Sequence, residues 1–222
     1  MIHNKLEAIK QLNFFKSLEQ EDLLKIDSFS NLIQNSKNSI LYYENDTHNK
    51  IFFLISGLLK VYKIDKFDNE IFLYHIYENS LISELTTLDN NSIYCFSNAE
   101  FMKDSLILEV DFSELKKQFL SKNILNNEFI NEILIKTQQL HCVVNRELVF
   151  DATAKVAFML SDDLDMFNSL KRQEVSFMLH IQPETLSRVL KKLKRSNIIE
   201  IENSKISIIN IDLLQKIFKG HI

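Results

Sequence analysis

The chain has 222 residues, of which 45% are hydrophobic and 25% charged, with a formal net charge of −4, two cysteines, two glycines and one proline. This is the balance of a globular protein with enough chain for two domains, and it excludes both intrinsic disorder and a disulfide-stapled scaffold. No run of about 18 apolar residues suggests a membrane span. The opening MIHNKLEAIK also lacks the apolar core of a secretion signal, so a reducing cytoplasmic setting is expected for Cys95 and Cys142.

Hydrophobic periodicity sets the predicted elements. Residues 4–27 place Leu6, Ile9, Phe14, Phe15, Leu18, Leu23, Leu24 and Ile26 at helical spacing, and Ser17-x-x-Gln20 has the form of a capping box before a second short helix. From about Ser39 to Val110 the texture changes to short β-branched and aromatic runs: SILYY, KIFFLISGLLKVYKI, EIFLYHIY, SIYCF and DSLILEV. The separators Glu44-Asn45-Asp46, Asp65 to Asn69 and Asp89-Asn90-Asn91 supply the non-glycine residues that best accept positive φ. Many short strands at this spacing predict a jelly roll or barrel.

From Ser113 the helical period returns, and residues 124–149, free of glycine and proline, predict one long helix. On it Ile130, Leu134, Thr137, His141, Val144 and Leu148 alternate by four and three, the spacing of a coiled-coil seam. Phe129, Ile133, Leu140 and Val143 form an adjacent stripe. One stripe is expected to face a second copy of the chain and the other the β-unit; an amphipathic helix on a monomer would give the same pattern.

Asp151 is placed to cap a helix over Ala152 to Leu164. Then come a helix over Gln173 to Leu179, a tight turn at His180 and Ile181, and a helix from Pro183 to Ser196, with proline in the first turn, where its missing N–H costs nothing. Two short strands, Ile198 to Ile201 and Lys205 to Ile209, flank Glu202-Asn203-Ser204, and Asp212 is placed to cap a last helix. Helix, turn, helix, hairpin is the order of a winged helix. Within it Arg188, Lys191, Lys192, Lys194 and Arg195 are opposed only by Glu184, so a local positive field sits on a chain that is negative overall.

Three motifs in order over nearly the whole chain resemble the Crp/Fnr family of bacterial transcription regulators. LYYENDTHNKIFFLISGLLKVYK is similar to the family's apolar stretch, Ser-Gly and Val-Tyr-Lys, with Gly57 at the turn. ISELTTL resembles the family's Phe-Gly-Glu-x-x-Leu-Leu, with Ser83 in place of glycine and Glu84 retained. RQEVSFMLHIQPETLSRVLKKLKRSNIIEIENSKISI resembles its DNA-binding segment, although Gln182 replaces the usual Ser or Thr and His180 a turn glycine. The resemblance implies an α+β protein in three parts. Residues 1–120 would form a double-stranded β-helix of the cyclic-nucleotide-binding type with a helical lead-in, 121–150 a dimerisation helix, and 151–222 a winged helix-turn-helix.

Glu184, Ser187 and Arg188 stand where the Fnr branch carries Glu-x-x-Ser-Arg, which implies an AT-rich palindrome with TTGA-like half-sites. The positions i, i+3 and i+4 share one helix face near the N-terminus, where Arg188 can donate to guanine O6 and N7 and Glu184 can accept from cytosine N4. An ordinary i,i+4 surface pair between Glu184 and Arg188 is the plain alternative. Pro183 occupies a place where another branch reads a guanine with arginine. Thr185, Lys191, Lys192, Lys194, Arg195 and the wing residue Lys205 are candidates for phosphate contacts. Implied partners are double-stranded DNA, a second copy of the chain and RNA polymerase, with no membrane.

The sensor is narrowed by exclusion. The stretch NNSIYCFSNAE has no arginine to hold a cyclic phosphate, which disfavours cyclic AMP. No cysteine precedes Cys95, and two thiols cannot hold a four-thiolate iron–sulfur cluster. The family's ligand-contacting wall aligns with Leu140 and His141, so haem is a candidate cofactor through His141, with His75 a second candidate imidazole and a solvent-facing role the alternative. Ser83, Glu84, Leu140, His141 and His75 are thus the candidate effector residues. The signal is left open among a small molecule, a gas and redox or nitrosative stress, with Cys95 and Cys142 as candidate thiols. His3, His48, His75 and His141 form no His-x-His pair, and no nucleophile elbow or phosphate loop occurs, so neither an enzyme nor a metal site is expected. A winged helix that contacts protein instead of DNA is the competing reading.

Overall fold

The computed structural model describes residues 4–84, 88 and 91–219. Residues 85–87 of the ISELTTL motif, Asp89 and Asn90 of a proposed separator, and His3 lie outside the described residues. Helices α1 (Lys5–Gln11) and α2 (Gln20–Ser28) precede strands β1 (Ser30–Asn35), β2 (Ile40–Tyr42), β3 (Thr47–His48), β4 (Lys50–Ser56), β5 (Leu59–Ile64), β6 (Glu70–Ile76), β7 (Ser80–Leu81), β8 (Ile93–Tyr94), β9 (Asn98–Phe101) and β10 (Ser105–Asp111). Helices α3 (Phe112–Gln118), α4 (Asn126–Val144), α5 (Ala152–Asp162), α6 (Leu164–Ser169), α7 (Arg172–Met178) and α8 (Pro183–Arg195) follow, then β11 (Ile199–Glu202), β12 (Lys205–Ile208) and α9 (Ile211–Lys219). The chain forms two compact units that meet inside α4, between Gln139 and Leu140.

The first unit is a β-roll of two antiparallel four-stranded sheets, ordered β1-β10-β4-β7 and β2-β9-β5-β6. Strand β4 explains why KIFFLIS reads as an unbroken apolar run. Ile51, Phe53 and Ile55 face a core shared with Phe14, Phe15, Phe112 and Phe129, while Phe52 and Leu54 face the roll interior with Leu59, Val61, Ile76 and Phe101. A strand buried on both faces loses the alternation that marks a half-exposed one. The all-β region begins at Ser30, earlier than Ser39. Strand β1 escapes a sequence reading because it lies at a sheet edge, where Asn31 and Gln34 stay exposed or half-exposed.

Several expected caps are corrected. Ser17 does not cap α2; its hydroxyl donates to Glu128 Oε1 of α4 at 2.6 Å. Asp151 does cap α5, accepting from the Ala154 N–H at 2.8 Å, but that helix ends at Asp162 because Asp163 accepts from the Met166 N–H and starts α6. Asn210, and not Asp212, caps α9 through the Leu213 N–H at 2.9 Å. The long helix starts at Asn126, after Asn123 and Leu125 at φ 61° and 67°, and its last turn, Asn145–Val149, widens into a π-helical turn. Positive φ falls where asparagine and aspartate predicted turns, at Asn45, Asp68 and Asn203, and also at His180 (φ 51°). Among the described residues no helix is long and apolar enough to cross a membrane.

Gly57 joins β4 to β5 at φ 112°, and a Cβ there would lie 2.1 Å from Ser105 Oγ. Gly57→Ala is therefore expected to destabilise the chain by more than about 1 kcal/mol, because neither the dihedral nor the space suits a side chain. Urea unfolding of the two proteins, followed by circular dichroism, checks this; equal midpoints would contradict it.

Candidate nucleic-acid interface

Helix α8 follows Gln182 in extended conformation and starts with Pro183. Leu186, Val189, Leu190 and Leu193 are buried, at the i, i+3, i+4, i+7 spacing of a helix packed along one side. They join Val156, Leu160, Phe167, Val175, Ile199 and Ile206 in the core of the second unit. That seam turns Glu184, Ser187, Arg188, Lys191, Lys192, Lys194 and Arg195 to solvent, with Thr185 half-buried beside them. Among the described residues no ion pair joins Glu184 to Arg188, so the plain surface-pair reading finds no support in the geometry.

The wing is the β11–β12 hairpin, turned by Asn203 and Ser204 at φ 47° and 66°, and it carries exposed Lys205. Two side chains hold it. Asn168 of α6 donates to the Ile206 carbonyl and accepts the Ile206 N–H, both at 2.8 Å. Arg172 donates to the Ser204 carbonyl at 2.7 Å while its guanidinium stacks 4.8 Å from the Phe167 ring centroid. These residues position Lys205, and sequence reasoning missed both, since a polar contact 32 or 38 residues distant leaves no periodic signal.

Glu147 is a further missed residue. Its carboxylate accepts from Arg146 Nε at 2.7 Å and from His180 Nδ1 at 2.8 Å, with Lys155 Nζ 3.6 Å away. Lys155 also donates to the Leu179 carbonyl at 3.2 Å. The π-helical turn is thereby tied to the turn between α7 and α8. Burial works to raise the Glu147 carboxyl, but the hydrogen bonds from Arg146 and His180 outweigh it and hold the group below the ordinary glutamate range.

On α4 the expected seam residues Ile130, Leu134, Thr137, His141, Val144 and Leu148 are all exposed, Leu148 to 81%. Within the first unit the second stripe covers the β-roll only in part, since Ile133 is exposed. Only Phe129 is buried there, while Ile133 and Leu140 are exposed and Val143 is half-exposed. The face turned to the roll is polar instead: Lys136 Nζ donates to the Ile82 carbonyl at 3.5 Å, and Glu132 accepts from the Leu81 backbone.

Of the candidate effector residues, Ser83, Glu84 and His75 belong to the first unit and Leu140 and His141 to the second. Ser83 is fully buried and its hydroxyl accepts the Phe52 N–H at 2.9 Å, which joins it to β4. Glu84 accepts from the Phe96 and Ser97 N–H groups at 2.8 and 3.1 Å and from the Ser97 hydroxyl at 2.8 Å. His75 alternates with Tyr74 along β6 and so points to the opposite sheet face, where its ring lies 4.7 Å from that of Phe72. His141 and Leu140 are exposed. Cys95 is buried, and burial, reinforced by Glu84 and Asp46, pushes its thiol up to about 12, so it is protonated at neutral pH; burial also raises the thiol of exposed Cys142. His48 lies between Tyr42 and Phe52, and burial pushes its imidazole below the ordinary histidine value.

Sequence profiles described as a cyclic nucleotide-binding domain and a Crp-like helix-turn-helix domain match residues 32–122 and 156–217. The global nitrogen regulator of Synechococcus elongatus is 22% identical over 213 residues, spanning 90% of this chain and 92% of the relative. Among solved structures, a CooA variant from Carboxydothermus hydrogenoformans superposes with a TM-score of 0.71 at 19% identity, covering 93% of this chain and 94% of the other. The c-di-GMP responsive global regulator CLP of Xanthomonas campestris superposes with a TM-score of 0.63 at 14% identity, covering 86% and 99%.

Because Glu147 titrates lower in the folded chain than in the unfolded one, its contribution to stability is full above the unfolded value of about 4.3 and is lost as pH falls through the depressed folded value. Hydrogen exchange of the α7 and α8 amides should therefore lose protection between about pH 5 and pH 3 more steeply in the wild type than in Glu147→Gln. Parallel profiles would show that the carboxylate does not hold the turn.

Proposed function

Because the chain belongs to the Crp/Fnr family of DNA-binding transcription regulators, we propose that it acts as a signal-responsive homodimer that reads a palindromic, AT-rich DNA site. Members of this family act by binding DNA and not by catalysis. In this reading each subunit lays α8 in a major groove, Arg188 donates to guanine, Glu184 accepts from cytosine and Ser187 contacts the adjacent base edge. Thr185, Lys191, Lys192, Lys194, Arg195 and Lys205 hold phosphates on either side. The observation that carries the proposal is the exposed polar and basic face of α8, fixed outward by the buried leucine and valine seam behind it. The similarity to the family's Glu-x-x-Ser-Arg supports TTGA-like halves.

The apolar residues left exposed on α4 support dimerisation, with Ile130 and Leu134 each 54% exposed and Val144 49%. Pairing two such helices through alternating four and three spacing would bury them as a coiled-coil seam. Two recognition helices on one dyad would then meet half-sites roughly 34 Å apart. Working on DNA places the protein in the cytoplasm, with RNA polymerase as its natural further partner.

The signal we propose is not a cyclic nucleotide. No arginine precedes Arg146 in the chain, and the Glu84 oxygens already accept hydrogen bonds from residues 96 and 97. Haem gains no support either, since His141 is exposed and His75 lies among aromatic rings on the sheet face opposite Tyr74. The Xanthomonas protein of the same fold is described as c-di-GMP responsive, which supports a small-molecule signal for a chain of this fold.

A mobility shift on TTGA-containing palindromes tests the reader. Arg188→Ala is expected to cost about 1–3 kcal/mol per half-site and to relax selectivity for its base, whereas Lys191→Ala should weaken all sequences alike and reduce the salt slope by about 1. Absence of DNA affinity at low salt would overturn the regulator reading in favour of a winged helix that binds protein. Leu134→Glu should shift the chain toward monomer in sedimentation and abolish selective binding; an unchanged sedimentation coefficient would remove α4 as the dimer seam.

A further inference from the structure

Between the last turn of α4 and the start of α5 the chain narrows to Phe150 and Asp151, both extended. The π-helical turn Asn145–Val149 closes on the Phe150 N–H, which donates to the Asn145 carbonyl at 2.9 Å. Phe150 is seated against the rings of Phe158 and Phe218, with centroids 5.7 and 6.1 Å away. A joint of one or two extended residues fixes where two segments meet but leaves them free to turn about it. A second point of attachment removes that freedom.

Glu147 supplies such a point. It stands on the α4 side of the joint, and its carboxylate meets His180 Nδ1 at 2.8 Å, 33 residues further along the chain. An ionised carboxylate can only accept, so the imidazole donates, and a hydrogen bond to a charged acceptor is about twice as strong as a neutral one. The two side chains are 27% and 26% exposed, which limits screening by water. Lys155 steadies the same turn through the Leu179 carbonyl at 3.2 Å, but it does so from α5, beyond the joint. His180 stands at φ 51°, in the place where the family resemblance puts a glycine. Glycine would supply that backbone angle and no side chain. The imidazole is an addition to a turn that needs only the angle, and it reaches back across the joint.

The geometry points to Glu147 and His180 as a positioning pair that sets which half-site spacing the dimer accepts. This assignment rests on the reading of the chain as a homodimer that reads a palindrome, and it deepens that reading. On one side of the pair stand the exposed seam residues Val144 and Leu148, whose pairing fixes where one copy lies against the other. On the other side the turn leads through Gln182 into Pro183 and Glu184, the base-reading end of α8. The pair ties the last turn of the seam to the reader. One base pair added between two half-sites moves them about 3.4 Å apart and rotates one by about 35°. A tied joint rejects that change, whereas a joint free to turn follows it. Arg188 then decides which base is read, and Glu147 with His180 decides how far apart the two readings lie. A contact that merely kept the turn folded would, once cut, weaken every DNA alike.

The test uses the full chain and duplexes carrying two copies of the half-site that the wild type selects from a randomised pool, with the central spacer lengthened one base pair at a time. The wild type should bind one spacer at least about tenfold more tightly than its neighbours. His180→Gly keeps the positive φ and loses the donor, so it should bind that spacer and its neighbours to within about threefold, with the penalty for changing the base that faces Arg188 left as in the wild type. His180→Asn accepts the same φ and sets an amide N–H where Nδ1 stands, so it should restore the discrimination between spacers. Glu147→Asp keeps the charge beside Arg146 and Lys155 but shortens its reach; it should behave as His180→Gly does, and it carries the test if that variant folds poorly. Without DNA, the amides of residues 145–150 and 179–182 should exchange faster together in His180→Gly and match the wild type in His180→Asn. Equal discrimination between spacers in the wild type and in both loss variants would overturn the assignment, as would a loss shared alike by the spacing and base penalties. A wild type that selects no sequence would overturn the reading as a DNA reader and the spacing assignment with it, whereas one that selects a half-site yet ignores the spacer would overturn the spacing assignment alone.

Discussion

Burial of Leu186, Val189, Leu190 and Leu193 is the constraint on which the second unit depends. A helix has only one side to bury in so small a core, so fixing that side fixes the opposite one. Arg188 is outward because Val189 and Leu190 are inward. The same core holds Ile199 and Ile206, so the wing is set by the same packing that orients the helix, and Asn168 and Arg172 then lock its two carbonyls. A substitution at Leu190 would therefore disturb the DNA-facing side chains without touching any of them.

The first unit follows another logic. Strand β4 separates two apolar cores, one against the helical lead-in and one inside the roll, and it can do so only because its residues alternate between them. Ser83 and Glu84 extend this framework. One receives the Phe52 N–H, the other the loop amides of residues 96 and 97, so side chains that in a family resemblance suggest ligand contacts are occupied in bracing the roll. Among the described residues the buried polar side-chain atoms left without a hydrogen-bond partner are the Tyr42 hydroxyl, both His48 ring nitrogens and Gln139 Oε1.

Much of this architecture is legible in the sequence. Pro183, the apolar spacing behind it and the Asn203 turn give away the winged helix, and the runs around Gly57 give away the roll. Other features leave no periodic trace. Strand β1 is an edge strand with polar residues, and Ser17 spends its hydroxyl on Glu128, 111 residues away, instead of on a cap. Glu147, Arg146, Lys155 and His180 meet through polar contacts that only the folded chain brings together. The largest departure is α4, where the apolar stripes are easily read but their direction is not. Periodicity says that a helix has two faces; it does not say which of them a neighbour covers.

That ambiguity bears on how a signal could act. Lys136 and Gln139 flank Thr137 on the same helical turn, and the seam positions Leu134 and His141 lie within one turn of them. A ligand that contacts α4 and a subunit that pairs with Leu134 would each fix the rotation of one helix about its axis. Coupling between the two then needs no chain of intermediates, only a difference in ligand affinity between the helix orientations that favour and disfavour pairing. Because such coupling is reciprocal, the factor by which a ligand changes the pairing of α4 equals the factor by which pairing changes the affinity for that ligand.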